Sequence, residues 1–323
     1  DMGGTSSDVG LIRGGIPAIS SELQLEYGMP IHVPMVDVHT IGAGGGSIAF
    51  VNDAGMLQVG PRSAGAEPGP ICYGRGGIEP TITDANFVLG RLNPDALLSV
   101  DNPVAMEHVR QCLVESVGGA LNLDAEATAA AILRIGNDRM AGAVRMVSLA
   151  RGHDPRDFAL FAFGGAGPLH ATALAAELAI PTVLIPARPG ITNAIGCVVA
   201  DVRHDYVNTV NQPLAEVDMN MVHDIMARQI TEGRAIIQGE GVSVEAEILV
   251  HAAEMQYQGQ SHMLRIPLEG ATITRTDIQA AFEEAYFNRF SLRLPEFGAV
   301  LVTLHTAVIG RRGEVARAAL MDP

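Results

Sequence analysis

The chain has 323 residues, 48% of them apolar, and a formal net charge of -15. That size supports a substantial core and suits two domains better than one, while an acidic balance without clustered basic residues argues against nucleic-acid binding, which needs such clusters to neutralise phosphates. All 21 basic residues are arginine, so a P-loop or Schiff-base mechanism lacks its lysine unless a partner supplies one.

No apolar run of about 18 residues occurs and no basic-then-apolar leader opens the chain, so the sequence predicts neither a membrane span nor a secretory signal, and a cytoplasmic location by default. Cys72, Cys112 and Cys197 form neither a C-x-x-C pair nor a disulfide framework. They read as reduced, buried thiols. The chain starts at Asp1 and passes straight into Gly-Gly-Thr, a motif that ordinarily follows a buried strand, so a preceding segment is expected.

From Asp1 to Phe50, short apolar runs (Val9 to Ile12, Ile31 to Val38, Ile48 to Val51) separated by glycines predict strands joined by tight turns. Gly60 to Pro80, rich in Gly, Pro and small residues, predicts a long loop of the kind that more often carries function. Helical spacing starts near Thr83 and continues over Asp101 to Gly118 and Asp124 to Leu149, with Asp124 as an N-cap and Gly152 as a stop. Phe158 to Phe163 reads as a buried strand, Leu169 to Leu178 as an alanine-rich helix and Thr182 to Ile185 as a further strand. A composition shift at Asp201 to Asp205 marks a boundary, giving domains 1–202 and 203–323. The second domain predicts a helix from Asp218 to Gln238, strands at Glu245 to Tyr257 and Met263 to Ile266, a helix from Thr276 to Phe290 and a strand from Val300 to Ile309.

Two glycine motifs carry chemistry. In Asp1-Met2-Gly3-Gly4-Thr5-Ser6 the glycines let backbone N–H groups approach phosphate oxygens, the hydroxyls add donors and the aspartate can hold Mg²⁺; an ordinary glycine turn is the competing reading. Gly164-Gly165-Ala166-Gly167 follows a predicted strand and opens a helix, but lacks the G-x-G-x-x-G spacing of a dinucleotide site; close helix–strand packing is the alternative there. Together the pair resembles the phosphate and adenosine loops of actin/hexokinase/Hsp70-type ATPases, an α/β, ribonuclease H-like fold.

Further segments narrow the resemblance. Asp1 to Val9, His39-Thr40-Ile41-Gly42-Ala43-Gly44-Gly45-Gly46-Ser47, Gly60 to Pro70, Cys72 to Gly77, Thr83-Asp84-Ala85-Asn86 and Phe163 to Ala171 are similar, collinearly, to hydantoinase A and 5-oxoprolinase sequences of the hydantoinase/oxoprolinase family. In the second domain Tyr257-Gln258-Gly259-Gln260 resembles a motif of that family, but Met263 stands where an acidic residue is expected, so a structural role is read there.

The resemblance implies ATP-dependent opening of a cyclic amide such as a hydantoin, 5-oxoproline or another lactam, with ATP-dependent carboxylation, as in acetone carboxylase relatives, as the same-fold alternative. A non-catalytic nucleotide-binding assembly module is the alternative from another class. The implied cofactors are ATP and Mg²⁺, with a second divalent metal left open; the implied partners are a hydantoinase B-type subunit or domain, an amino-terminal domain of the same chain and a small cyclic amide, with homo-oligomerisation left open. The same resemblance assigns Mg²⁺ to Asp1, the phosphates to Gly3, Gly4, Thr5 and Ser6, further nucleotide contacts to Gly44, Gly45, Gly46 and Ser47, and the nucleoside to Gly164, Gly165, Ala166 and Gly167. Asp8 is a candidate base or second metal contact, with capping as its alternative. Asp37 and His39, two apart on a predicted strand, suit a metal or acid/base pair, or a structural pair. For Asp84, Arg62 and Arg75, a catalytic or charge-neutralising role competes with loop anchoring. His170 reads as packing, and Cys72 as inert.

Overall fold

The computed structural model describes residues 1–20, 23–24, 30–31, 35–97, 100, 104–270 and 272–313. Residues from Asp1 to Ile195 group into one compact unit and those from Gly196 onward into another.

The first unit opens with antiparallel pairing of β1 (Ser7–Gly10) and β8 (Val38–Ile41), Ser7 opposite Ile41 and Gly10 opposite Val38. Between them the chain makes three further antiparallel pairs: β2 (Ile12–Arg13) with β3 (Ile16–Pro17), β4 (Ile19–Ser20) with β7 (Met35–Val36), and β5 (Leu23–Gln24) with β6 (Pro30–Ile31). Of the continuous strand expected from Ile31 to Val38, residues 32–34 lie outside the described residues, and β7 and β8 are separated at Asp37. β9 (Ser47–Val51) and β10 (Leu57–Ser63) form a hairpin whose turn is held by Asn52, its Oδ1 accepting from Ala54 N and Met56 N at 3.0 Å each. The start of the predicted loop at Gly60 is therefore strand.

Helices α1 (Ile82–Val88), α2 (Met106–Leu113), α3 (Gly119–Leu121) and α4 (Ala125–Val147) follow, with one π turn at Val114–Gly118 between α2 and α3. Residues 101–103, where the second predicted helix was to begin, lie outside the described residues. Asp124 caps α4, its carboxylate accepting from Ala127 N at 2.8 Å. Ala129, Ile132, Leu133, Gly136, Met140, Ala143 and Val147 bury one face of α4, and Gly136 lets α1 come close: a Cβ there would stand 2.9 Å from Ile82 Cδ1. Parallel strands β11 (Ala159–Phe161) and β12 (Thr182–Leu184) are joined by α5 (Gly167–Leu178), a βαβ unit. The short α6 (Thr192–Val199) comes next.

The second unit is an antiparallel sheet in the order β13–β16–β14–β15, from β13 (Val202–Pro213), β14 (Ala246–Tyr257), β15 (Leu264–Leu268) and β16 (Ala299–Arg311). Helices α7 (Met219–Gly239) and α8 (Arg275–Phe290) join its core, which includes Val222, Ile225, Met226, Met255, Ile278, Phe282 and Leu304. Tyr257 sits in that core with Phe282 and Tyr286 at ring centroid distances of 4.8 Å each, and Gln260 pairs with the Tyr286 hydroxyl at 3.3 Å. That motif packs the unit together. Among the described residues no helix is long and apolar enough to cross a membrane.

Candidate functional site

Three glycine loops meet in the first unit. The segment from Asp1 to Asp8 is a tight turn, with Gly3 N donating to Ser6 O at 3.0 Å and Asp8 N to Asp1 O at 2.8 Å. Behind it, Gly45 N and Gly46 N of the second loop donate to Gly3 O and Gly4 O at 2.9 and 2.6 Å. The third loop closes the side: Met2 N donates to Phe163 O at 3.1 Å and Ala166 N to Met2 O at 3.0 Å. Segments far apart in sequence are thereby fixed edge to edge by main-chain hydrogen bonds, a rigid mounting because each donor and acceptor is satisfied only in this arrangement.

Glycine is required where the loops touch. A Cβ on Gly44 would lie 2.6 Å from the Thr5 carbonyl carbon; one on Gly164, whose φ is +87°, would overlap the Asp1 carboxylate and stand 2.5 Å from Met2 O. Gly4 and Gly165 differ. Both are exposed, and a Cβ on either meets nothing within 4 Å. No hydrogen bond among the described residues takes up the N–H groups of Gly4, Thr5 or Gly165. Free main-chain donors on a rigid concave turn attract anions.

The remaining expected site residues divide by what their polar groups already hold. Gly44, Gly45, Gly46 and Ser47 are all buried, and their N–H groups go to Ser47 Oγ (2.8 Å), Gly3 O, Gly4 O and Gly44 O (3.0 Å). Their main-chain donors thus buttress the first loop, and nucleotide contact by these four stays an expectation. Asp84, a catalytic candidate, is fully buried, and its carboxylate accepts from Ile71 N, Cys72 N, Thr81 N and Thr81 Oγ1 at 3.2, 2.8, 2.9 and 2.7 Å and completes the capping box of α1. Burial pushes its carboxyl upward, against the donors that favour the anion. Asp37 forms an ion pair with Arg151, His39 sits on β8 opposite Val9, and among the described residues no three His, Cys, Asp or Glu side chains gather to hold a metal. Asp37 thus lies between β7 and β8 with its carboxylate on Arg151, and His39 lies within β8.

Asp1 and Asp8 stay at the meeting point. Asp1 Oδ2 accepts from Asn193 Nδ2 at 2.5 Å, and Asp8 Oδ1 accepts from Thr40 Oγ1 at 2.6 Å. Both aspartates are partly exposed. Sequence reasoning missed Asn193, Thr40 and Thr83, whose N and Oγ1 each donate to Gly45 O at 2.8 Å; Thr40 and Thr83 were within quoted motifs, but Asn193 carried no local signal. Arg62 pairs with Glu79 at 2.8 Å and Arg75 lies over the Tyr73 ring at 5.9 Å, so both serve the Gly60–Pro80 loop. His170 is buried, with Nδ1 2.7 Å from Asn137 Oδ1 and Nε2 3.2 Å from Asn86 Nδ2, and burial, with Arg91 adding to it, lowers its pKa to about 4. Cys72 is fully buried beside Asp84, and desolvation drives its thiol pKa upward; a nucleophile needs the opposite shift.

An apolar cavity of about 580 Å³ adjoins the loops, lined by residues of β1, β11, α4 and α5 including Val9, Phe161, Met140 and Leu174. Among the described residues β1 pairs with β8 and is bridged through Ser7 to Met2, while β11 pairs with β12. Asp1, Asp8 and Asn193 line the same cavity.

A family model described as hydantoinase/oxoprolinase matches residues 1–206. Caprolactamase subunit alpha of Pseudomonas jessenii is 39% identical over 323 residues, covering 96% of this chain and 45% of that protein. The crystal structure of the ATP-dependent caprolactamase from Pseudomonas jessenii superposes with a TM-score of 0.79 at 36% identity, over 98% of this chain and 47% of that one. A nucleotide-free acetone carboxylase structure does so with a TM-score of 0.69 at 26% identity, over 96% and 46%. The chain thus spans about half the length of these relatives.

Proposed function

The chain belongs to the hydantoinase/oxoprolinase family, and from that premise we propose that it is the nucleotide-binding part of a cytoplasmic enzyme that uses ATP to open a cyclic amide. The observation that carries this reading is the junction of the Gly3–Ser6 turn with the Gly164–Gly167 loop, at which the exposed N–H groups of Gly4, Thr5 and Gly165 have no acceptor among the described residues.

The residues fit a magnesium nucleotide. Gly4 and Thr5 main-chain donors with the Thr5 and Ser6 hydroxyls would hold phosphate oxygens, and Gly165, bare of a side chain, would let a nucleoside lie against the backbone. Asp1 would hold Mg²⁺, a cation that commonly takes one or two carboxylates plus phosphate oxygens and so needs no all-protein cluster. When bound, Mg²⁺ would neutralise phosphate charge. An amide is a poor electrophile; moving the γ-phosphoryl group of ATP onto its oxygen, with ADP as leaving group, opens the carbon to attack by water, after which the C–N bond breaks with the added water's proton passing to the ring nitrogen, and a second water hydrolyses the resulting acyl phosphate to carboxylate and phosphate. Asp8, which accepts from Thr40 Oγ1, would orient or deprotonate the attacking water.

A hydantoinase B-type subunit and the further length present in the relatives would complete the site, because a cleft enzyme excludes water only with both walls in place. A second reading, ATP-dependent carboxylation of a ketone, is favoured by the similarity to acetone carboxylase. Phosphate release by the full-length protein with its partner subunit, measured against hydantoins, 5-oxoproline, larger lactams and ketones with bicarbonate, separates the two. Stimulation by a cyclic amide supports the first, stimulation by a ketone alone supports the second, and silence throughout refutes both.

A further inference from the structure

Asp1 has one carboxylate oxygen bonded to Asn193 Nδ2 at 2.5 Å and the other turned against Gly164, where any Cβ would overlap it. Asn193 is in the first turn of α6, and the segment leading into that helix is tied to the third loop, Gly164 N donating to Pro189 O at 2.9 Å. Thr192 Oγ1 donates to Arg188 O at 3.1 Å and fixes the same turn. The Asp1 backbone is held by β1 through Asp8 N, but main-chain bonds leave the terminal torsion of an aspartate broad and roughly two-fold. Asn193 removes that freedom.

We propose that Asn193 is a positioning residue that sets the orientation of the Asp1 carboxylate. This rests on the reading of Asp1 as the magnesium-holding carboxylate. An amide is suited to the task, since it donates to the carboxylate without adding charge, whereas a basic residue there would compete with a cation for the same oxygens. Asn193 touches neither nucleotide nor metal in this scheme; it acts through Asp1. The Pro189–Asn193 segment accordingly links the third loop to the metal-holding end of the first.

The test uses the full-length protein with its partner subunit and the variants Asn193→Ala, Asn193→Ser and Asp1→Asn. Affinity for Mn²⁺ in the presence of ADP is read by electron paramagnetic resonance, alongside kcat for ATP hydrolysis and the thermal midpoint. A charge-assisted hydrogen bond carries about tenfold in an equilibrium. The expected result is about tenfold weaker Mn²⁺ binding and about tenfold lower kcat in Asn193→Ala, an unchanged midpoint, and recovery of most of the loss in Asn193→Ser, which keeps a donor. Wild-type Mn²⁺ affinity in Asn193→Ala while Asp1→Asn loses it would overturn the proposal, as would a lowered midpoint with metal affinity intact. Wild-type Mn²⁺ affinity in Asp1→Asn would instead overturn the reading beneath it.

Discussion

Gly44→Ala puts the loop junction under a defined steric load. The added methyl would sit 2.6 Å from Thr5 C and 2.7 Å from Gly4 C and O, about 0.8 Å inside the 3.4 Å at which ordinary contact begins. The atoms it meets are backbone, so no side chain can swing away, and the first loop must move by most of that distance. Gly44 is itself buried and its N–H is bonded to Ser47 Oγ at 2.8 Å, which keeps its own loop from retreating. Overpacking of this kind costs about 1–3 kcal/mol, and a displacement near 1 Å in a positioning loop lowers turnover by about a hundredfold. The expected outcome is a roughly 10–100-fold fall in kcat for substrate-stimulated ATP hydrolysis by the full-length protein with its partner, with a modest fall in the urea midpoint. Wild-type kcat in Gly44→Ala would refute the claim that the second loop buttresses a catalytically placed first loop.

Gly165→Ala has open space for its methyl, so stability should stay within about 0.5 kcal/mol while ATP affinity falls; unchanged affinity by calorimetry would remove the nucleoside from this loop. Asp84→Ala strands the donors of Ile71, Cys72 and Thr81, and should cost about 3–5 kcal/mol of stability, read by urea titration; a loss below 1 kcal/mol would speak against its anchoring role. His170 titrates at about 4 when folded against 6.5 in its reference state, so the unfolded chain binds its proton first as pH falls: the neutral buried ring gives full stability above 6.5, which is lost progressively toward 4. Between pH 6.5 and 5 the loss should be about 2 kcal/mol, and its persistence undiminished in His170→Asn would assign the slope to another group. Alkylation of the native protein with iodoacetamide at pH 8 should label exposed Cys197 and spare Cys72, by mass spectrometry; early labelling of Cys72 would contradict its burial.

Much of the local structure is written in short-range pattern. The α4 helix, with its Asp124 cap and three-and-four spacing, and the α7, α8, β14 and β16 elements follow periodicity closely, because each buries one regular face against a core. β13 was overlooked: its run from Val202 to Pro213 is largely polar, and its strand character comes from pairing with β16 at the sheet edge. Local pattern has no access to that partner.

The glycine motifs by themselves determine where the main chain can be approached closely, at Gly3–Ser6, Gly42–Ser47 and Gly164–Gly167, since glycine lacks the side chain that would block it. What comes close was decided by tertiary structure. The second loop meets the first loop, and Asp84 meets four donors from two segments, so both turn inward to support. Asn193 reaches Asp1 across 192 positions of sequence. A residue type limits which bonds a group can make, but whether its donors and acceptors are already satisfied depends on partners distant in the chain, and that separates buttressing groups from those left free to meet a ligand.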